Sequence, residues 1–209
     1  MTLLPRPSVR NQRRLARGMQ VLLLAIVGYG LLAGQPKAIT NGAIAFGITL
    51  LPPLIERNYS LTLDPWLALW ITTAVFLHTL GSAGLYAQLG WWDSITHAMS
   101  ASLVAAVGYT AARSIDLHSD DIYVPRRLFF VYTLVVVLAF GVIWELFEFG
   151  LDVVTDLTGV TMPLAQFGLE DTVTDLLFNS LGAVLVALFG QAHLTGVAET
   201  IGERLFTAD

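Results

Sequence analysis

Residues 127–150 read RLFFVYTLVVVLAFGVIWELFEFG. From Leu128 to Trp144 there is no Asp, Glu, Lys, Arg or His. A helix needs about 20 predominantly apolar residues to cross the hydrocarbon core of a bilayer, and this stretch meets that length. Stretches of the same character recur near 17–34, 38–55, 66–84, 92–112 and 171–191, which makes six spans. The connectors between them carry helix breakers: Gly34-Gln35-Pro36, Pro52-Pro53 with Glu56-Arg57-Asn58, Leu89-Gly90, and Ser119-Asp120-Asp121 leading to Pro125. The pattern predicts an all-α, polytopic transmembrane bundle of about six helices. It divides into a basic tail (1–16), a single transmembrane domain (17–191) and a C-terminal tail (192–209), without repeats or low-complexity tracts.

Composition agrees with a chain whose main partner is the lipid bilayer. Of 209 residues, 55% are hydrophobic and 13% charged, and the mean hydropathy is +0.68, outside the range of ordinary soluble domains. A multi-pass protein of the cell membrane is therefore expected. There is no cysteine, so disulfides, thiolate metal sites and cysteine nucleophiles are excluded, and any metal must be held by nitrogen and oxygen. A net charge of −5, with no basic run beyond the N-terminal tail, excludes nucleic acid as a partner. Arg6, Arg10, Arg13, Arg14 and Arg17 followed by the apolar stretch 19–33 could mark a cleaved secretory signal. The poor cleavage pattern at Gly34-Gln35-Pro36 favours a signal anchor.

The Lys and Arg residues set the orientation. With the N-terminus inside, Arg6, Arg10, Arg13, Arg14, Arg17, Arg57, Arg113, Arg126, Arg127 and Arg204 are cytoplasmic, and only Lys37 is outside. Both termini are then cytoplasmic, and the acidic segment between 150 and 171 is an external loop. Trp66, Trp70, Trp91, Trp92 and Trp144 fall toward helix ends, as in an interfacial aromatic belt.

In that orientation the ionisable residues of the last four spans gather toward the outer face. His78 lies in the outer half of the third span. Asp93 and His97, four apart, share a face of the fourth. Glu145, Glu148 and Asp152 form a stripe on the fifth, and Asp171, Asp175 and Asn179 one on the sixth. Ionisable groups inside a membrane are costly and face the bundle interior or a wet cavity. Two imidazoles with several carboxylates suit a divalent transition metal such as Zn, Mn or Fe.

Plainer roles exist for each residue. His78 alone could be a bundle hydrogen-bonding group. Asp93 and Asp171 could cap helices or complement their dipoles. That explanation does not extend to His97, Asp175 or Asn179, which lie deeper. Glu145 and Glu148 sit among Phe140, Ile143, Leu146, Phe147 and Phe149, where unpaired carboxylates are strongly unfavourable. The spacing Gly30 to Gly34 fits a small-residue packing motif of low specificity. His118 with Asp116, Asp120 and Asp121 reads as a solvated connector on the other side, and His193 has no acidic neighbour in sequence.

The ordered set Leu77-His78, Gly81, Tyr86, Trp92-Asp93, His97, Glu145, Glu148, Asp171-Thr172, Asp175, Asn179 and Gly182-Ala183 resembles the YjdF-like inner-membrane proteins, an uncharacterised family. More distantly it is similar to VanZ-like membrane proteins. The resemblance spans about residues 66–190. Val173 stands where the YjdF-like pattern has glutamine, and Trp92 where it has tyrosine. The VanZ-like similarity implies envelope or lipid-linked chemistry.

Three functions fit these residues. The first is a metal-dependent hydrolase or transferase acting on an amphipathic or lipid-linked envelope substrate. In it His78, His97, Asp93, Glu148 and Asp175 are the candidate ligands and Glu145 is the general base. No HExxH or G-x-S-x-G signature accompanies them. The second is a proton- or metal-coupled transporter, which predicts polar residues continuing inward and helices broken at mid-membrane. The third is a scaffold whose polar network fixes helix register. Substrate, metal identity and oligomeric state are not readable from the sequence.

Overall fold

The structure, a computed structural model, describes residues 7–59, 63–119, 121–160, 162, 164 and 168–206; the side chains of 59, 191–193 and 204–206 are not described. Arg6 and Asp120, and the side chains of His193 and Arg204, lie outside that set. All regular structure among the described residues is helical: α1 (Val9–Ala33), α2 (Pro36–Thr49), α3 (Leu51–Tyr59), α4 (Pro65–Leu80), a π-helical turn (Gly81–Leu85), α5 (Tyr86–Gln88), α6 (Gly90–His118), α7 (Arg126–Thr158), α8 (Leu169–Phe189) and α9 (Gln191–Phe206).

Five helical stretches are long and apolar enough to cross a membrane: Val9–Ala33, Pro36–Asn58, Pro65–Gln88, Arg126–Thr158 and Leu169–Phe189. The remaining span expected from sequence is α6. Its 29 residues exceed the required length, but Asp93, His97, Arg113, Asp116 and a row of Ser and Thr lower its apolarity. Apart from Tyr109, its buried face is correspondingly made of small or polar residues: Thr96, Ala101, Ser102, Ala105, Ala106, Gly108, Thr110 and Ser114.

The chain forms two units, Met1–Trp92 and Asp93–Asp209. Each is inverted relative to a soluble protein. Thr133 is 0% and Asp175 2% exposed, whereas Leu146 is 64% exposed. Hydrocarbon makes an outward-facing leucine cheap, so helix association rests on close packing and internal polar contacts.

In the first unit α1 packs on α2 through glycines. A Cβ on Gly30 would meet the Ile39 side chain at 2.9 Å, and one on Gly42 would meet Val27 Cγ2 at 2.8 Å. Gly34 is not a packing position. It is the left-handed C-cap of α1 (φ 64°) with open space around it, a conformation glycine adopts without a Cβ penalty. Helix α1 starts at Val9 under a Ser8 cap, so Arg10, Arg13 and Arg14 are helical. Pro52 and Pro53 fall in the first turn of α3, where a missing N–H costs little.

In the second unit α6 and α8 come into backbone contact at Gly182, where a Cβ would run into Ala98 O. Helices α7 and α8 approach at Gly141, where a Cβ would lie 2.9 Å from both Asn179 Nδ2 and Leu176 Cδ2. Helix α7 continues two turns past 150 to Thr158, closed by Gly159 (φ 71°), so Asp152 and Asp156 are helical rather than in a loop. The C-terminal segment is helical through α9, where Leu194 and Ala198 are buried and Gly202 lies against His118.

Candidate functional site

The N-terminal turns of α6 and α8 and the middle of α7 bring their polar stripes together. Asp93 lies in the first turn of α6, with His97 one turn on. His97 Nε2 is 3.7 Å from Asp93 Oδ1 and 3.6 Å from Asp175 Oδ2. Asp93, His97 and Asp175 each offer a ligand atom, all within 4.8 Å of one another. Both His97 separations exceed hydrogen-bond length. They are close to the edge of a tetrahedral site, about 3.3 Å for metal–ligand bonds near 2 Å.

Two further carboxylates border this group. Glu145 is 4% and Glu148 7% exposed. Glu145 Oε2 accepts from Thr172 Oγ1 at 2.9 Å, while its Oε1 is buried with no hydrogen-bond partner among the described residues. Glu148 Oε1 accepts from Trp144 Nε1 at 3.0 Å. Asp93, Glu145, Glu148, Asp171 and Asp175 all lie within electrostatic reach of one another. No Lys or Arg occurs between Arg57 and Arg113 or between Arg127 and Arg204, so among the described residues α6, α7 and α8 place no lysine or arginine here.

The remaining expected residues are arranged differently. Asp171 is half-buried in the first turn of α8, and Asp152 is half-buried one turn beyond Glu148. Asn179 is buried against Gly141, a packing role between α7 and α8. His78 belongs to the first unit, where its Nδ1 is 2.8 Å from the Tyr86 hydroxyl and its ring meets the Tyr86 ring edge-on. That contact depends on the π-turn: Gly84 takes φ 138°, and the Tyr86 ring covers Gly81, where a Cβ would strike it. Sequence reasoning did not assign Thr172 and Trp144 as carboxylate donors. Their i,i+4 relation (Trp144 to Glu148) and the Asp-Thr pair at the start of α8 were the available signals.

The far side of the second unit also differs from expectation. Asp116 is not part of a solvated connector: its side chain pairs with Arg113 and accepts from Val124 N at 2.7 Å. His118 Nδ1 lies 2.9 Å from Ser114 O.

Fold and site together define a multi-pass helical membrane protein with a His/Asp group that could hold a metal. More particularly, the chain belongs to the family described as "Predicted membrane protein (DUF2238)", whose model matches residues 15–196. A curated relative, an uncharacterized protein of Thermotoga maritima, is 29% identical over 131 residues, covering 61% of this chain and 63% of its own length. The chain thus matches less than two thirds of that relative. No solved structure matches.

Proposed function

We propose that Asp93, His97 and Asp175 bind a divalent transition metal, and that the surrounding carboxylates serve hydrolysis or group transfer on an amphipathic or lipid-linked substrate. The observation that carries this reading is one imidazole and two carboxylates, spaced as ligands, in an acidic cluster with no Lys or Arg. Nitrogen with mixed oxygen donors suits Zn, Mn or Fe. Such an ion lowers the pKa of a bound water and polarises an acyl or phosphoryl oxygen. Glu145 keeps one buried oxygen unpartnered, as a general base requires, while Thr172 holds the other in place. Trp144 orients Glu148 beside the ligands. Within the second unit this reading takes Asp93, His97 and Asp175 as the ligands and Glu148 as their neighbour.

The membrane placement in this reading is six spans, α6 included, with the basic segment 1–16 and the segment 192–209 cytoplasmic in the cell membrane. Thirty ångströms of hydrocarbon correspond to about 20 helical residues. Counted from Arg126, that sets Glu145 and Glu148 near the outer boundary, on the side of the envelope substrates that a resemblance to VanZ-like proteins implies.

Transport by the same residues is a second reading, favoured by the buried hydroxyls of Thr96, Ser102 and Thr133 further along α6 and α7. Each of them donates to a carbonyl of its own helix. The break in the third span, at Gly81–Leu85, is near the end of its helix rather than the middle.

Elemental mass spectrometry of purified protein, with a His97→Ala/Asp175→Asn variant alongside, tests the metal. Near-stoichiometric metal lost in a folded variant supports the site. Both proteins remaining metal-free after incubation with Zn, Mn and Fe would sink it in favour of a structural network. Glu145→Gln separates the steps: metal is expected to stay while turnover of a substrate found by screening is lost.

A further inference from the structure

The opposite end of the second unit holds a cavity of about 460 Å³ whose lining includes Arg113, Arg126, Arg127, Tyr109, Tyr123 and Leu188. Along α6, Arg113 is 16 residues from His97, about 24 Å away at 1.5 Å per residue, so this cavity is separate from the acidic cluster. Among the described residues its lining holds three arginines and no carboxylate. Asp116 is the carboxylate paired with Arg113, and its other oxygen is taken by Val124 N. The Arg113 Nε is buried with no hydrogen-bond partner among the described residues, and its guanidinium lies 5.8 Å from the Phe129 ring centroid.

Arg126 and Arg127 form the first turn of the 33-residue helix α7, which has no acidic residue in that turn and no side-chain N-cap bond. Cations at a helix N-terminus oppose its dipole, and an anion there relieves both. The cavity wall continues into Phe130, Ala187 and Leu188, an apolar surface beside the cationic one. Tyrosine hydroxyls and guanidinium forks match phosphate oxygens.

We infer that this cavity binds a phosphate-bearing anion, with arginines on the phosphate and the apolar wall beside an acyl chain when the anion is a phospholipid headgroup. The test is thermal unfolding in neutral detergent with phosphatidylglycerol, phosphatidylcholine or inorganic phosphate added, for wild type, R126Q/R127Q and R126K/R127K. Phosphatidylglycerol is expected to raise the wild-type midpoint by several degrees and phosphatidylcholine much less. The rise should be at least halved in R126Q/R127Q and largely kept in R126K/R127K. Inorganic phosphate reproducing the rise identifies the free anion as sufficient; a rise with the lipid alone assigns the acyl wall a part.

No wild-type rise with either anion, or an equal rise in R126Q/R127Q, overturns the inference. If R126Q/R127Q does not fold, counting retained lipid on wild type by native mass spectrometry decides. Several-fold preference for phosphatidylglycerol over phosphatidylcholine supports the site, and equal retention overturns it.

Discussion

The two ends of the second unit are built from the same helices and are electrostatic opposites. At one end Asp93 and Asp175 flank His97 and buried Glu145 and Glu148 border them. At the other, Arg113, Arg126 and Arg127 border a cavity with Asp116 already engaged. Acidic side chains withdrawn from water without arginine or lysine ask for a small cation held on all sides. Long basic side chains around a cavity ask for a larger anion and can meet part of it with water. In the proposed reading the contrast separates a site of fixed geometry from one that adapts.

The strongest way to break this comparison is at the helix crossing that supports it. Gly182→Ala forces Cβ into the backbone of Ala98 and is expected to cost about 3 kcal/mol, seen as a lowered unfolding midpoint with the acidic site lost too. Gly141→Ala, which meets the movable ends of Asn179 and Leu176, should cost about 1 kcal/mol; equal losses at the two positions would contradict the packing described.

Asp175→Asn sharpens the difference between the ends. It is expected to weaken Zn binding by about 100-fold, or about 2.7 kcal/mol, in a competition titration with a chromophoric chelator. Lowering the pH should weaken wild-type binding as well, because protons compete for His97 and both aspartates. A flat pH profile would argue against these ligands.

Thr172→Val removes the donor to Glu145 and leaves the three proposed ligands in place. A fall of about 10-fold in metal affinity or turnover is expected, the size usual for a group that orients another. The smallest effect is the most telling: R126Q/R127Q should leave metal affinity unchanged, since its groups lie well beyond a Debye length of about 8 Å from the acidic end. A coupled loss would mean that the two ends are one system.

The class of the molecule was legible in the sequence for a simple reason. A helix that crosses lipid must satisfy its own backbone and present apolar side chains outward, and this leaves long runs such as 128–144 that no other environment requires. Helical periodicity by itself also puts Asp93 with His97, and Glu145 with Glu148, on common faces. Periodicity says nothing about how one helix is rotated or shifted against the next. Tertiary packing alone decided that Asp93, His97 and Asp175 converge, that His78 turns to Tyr86 across a π-turn, and that Asp116 is held rather than solvated. It also decided which end of α7 met Arg113. The contacts responsible, at Gly182 and Gly141, are absences of side chain whose meaning depends on what stands opposite them.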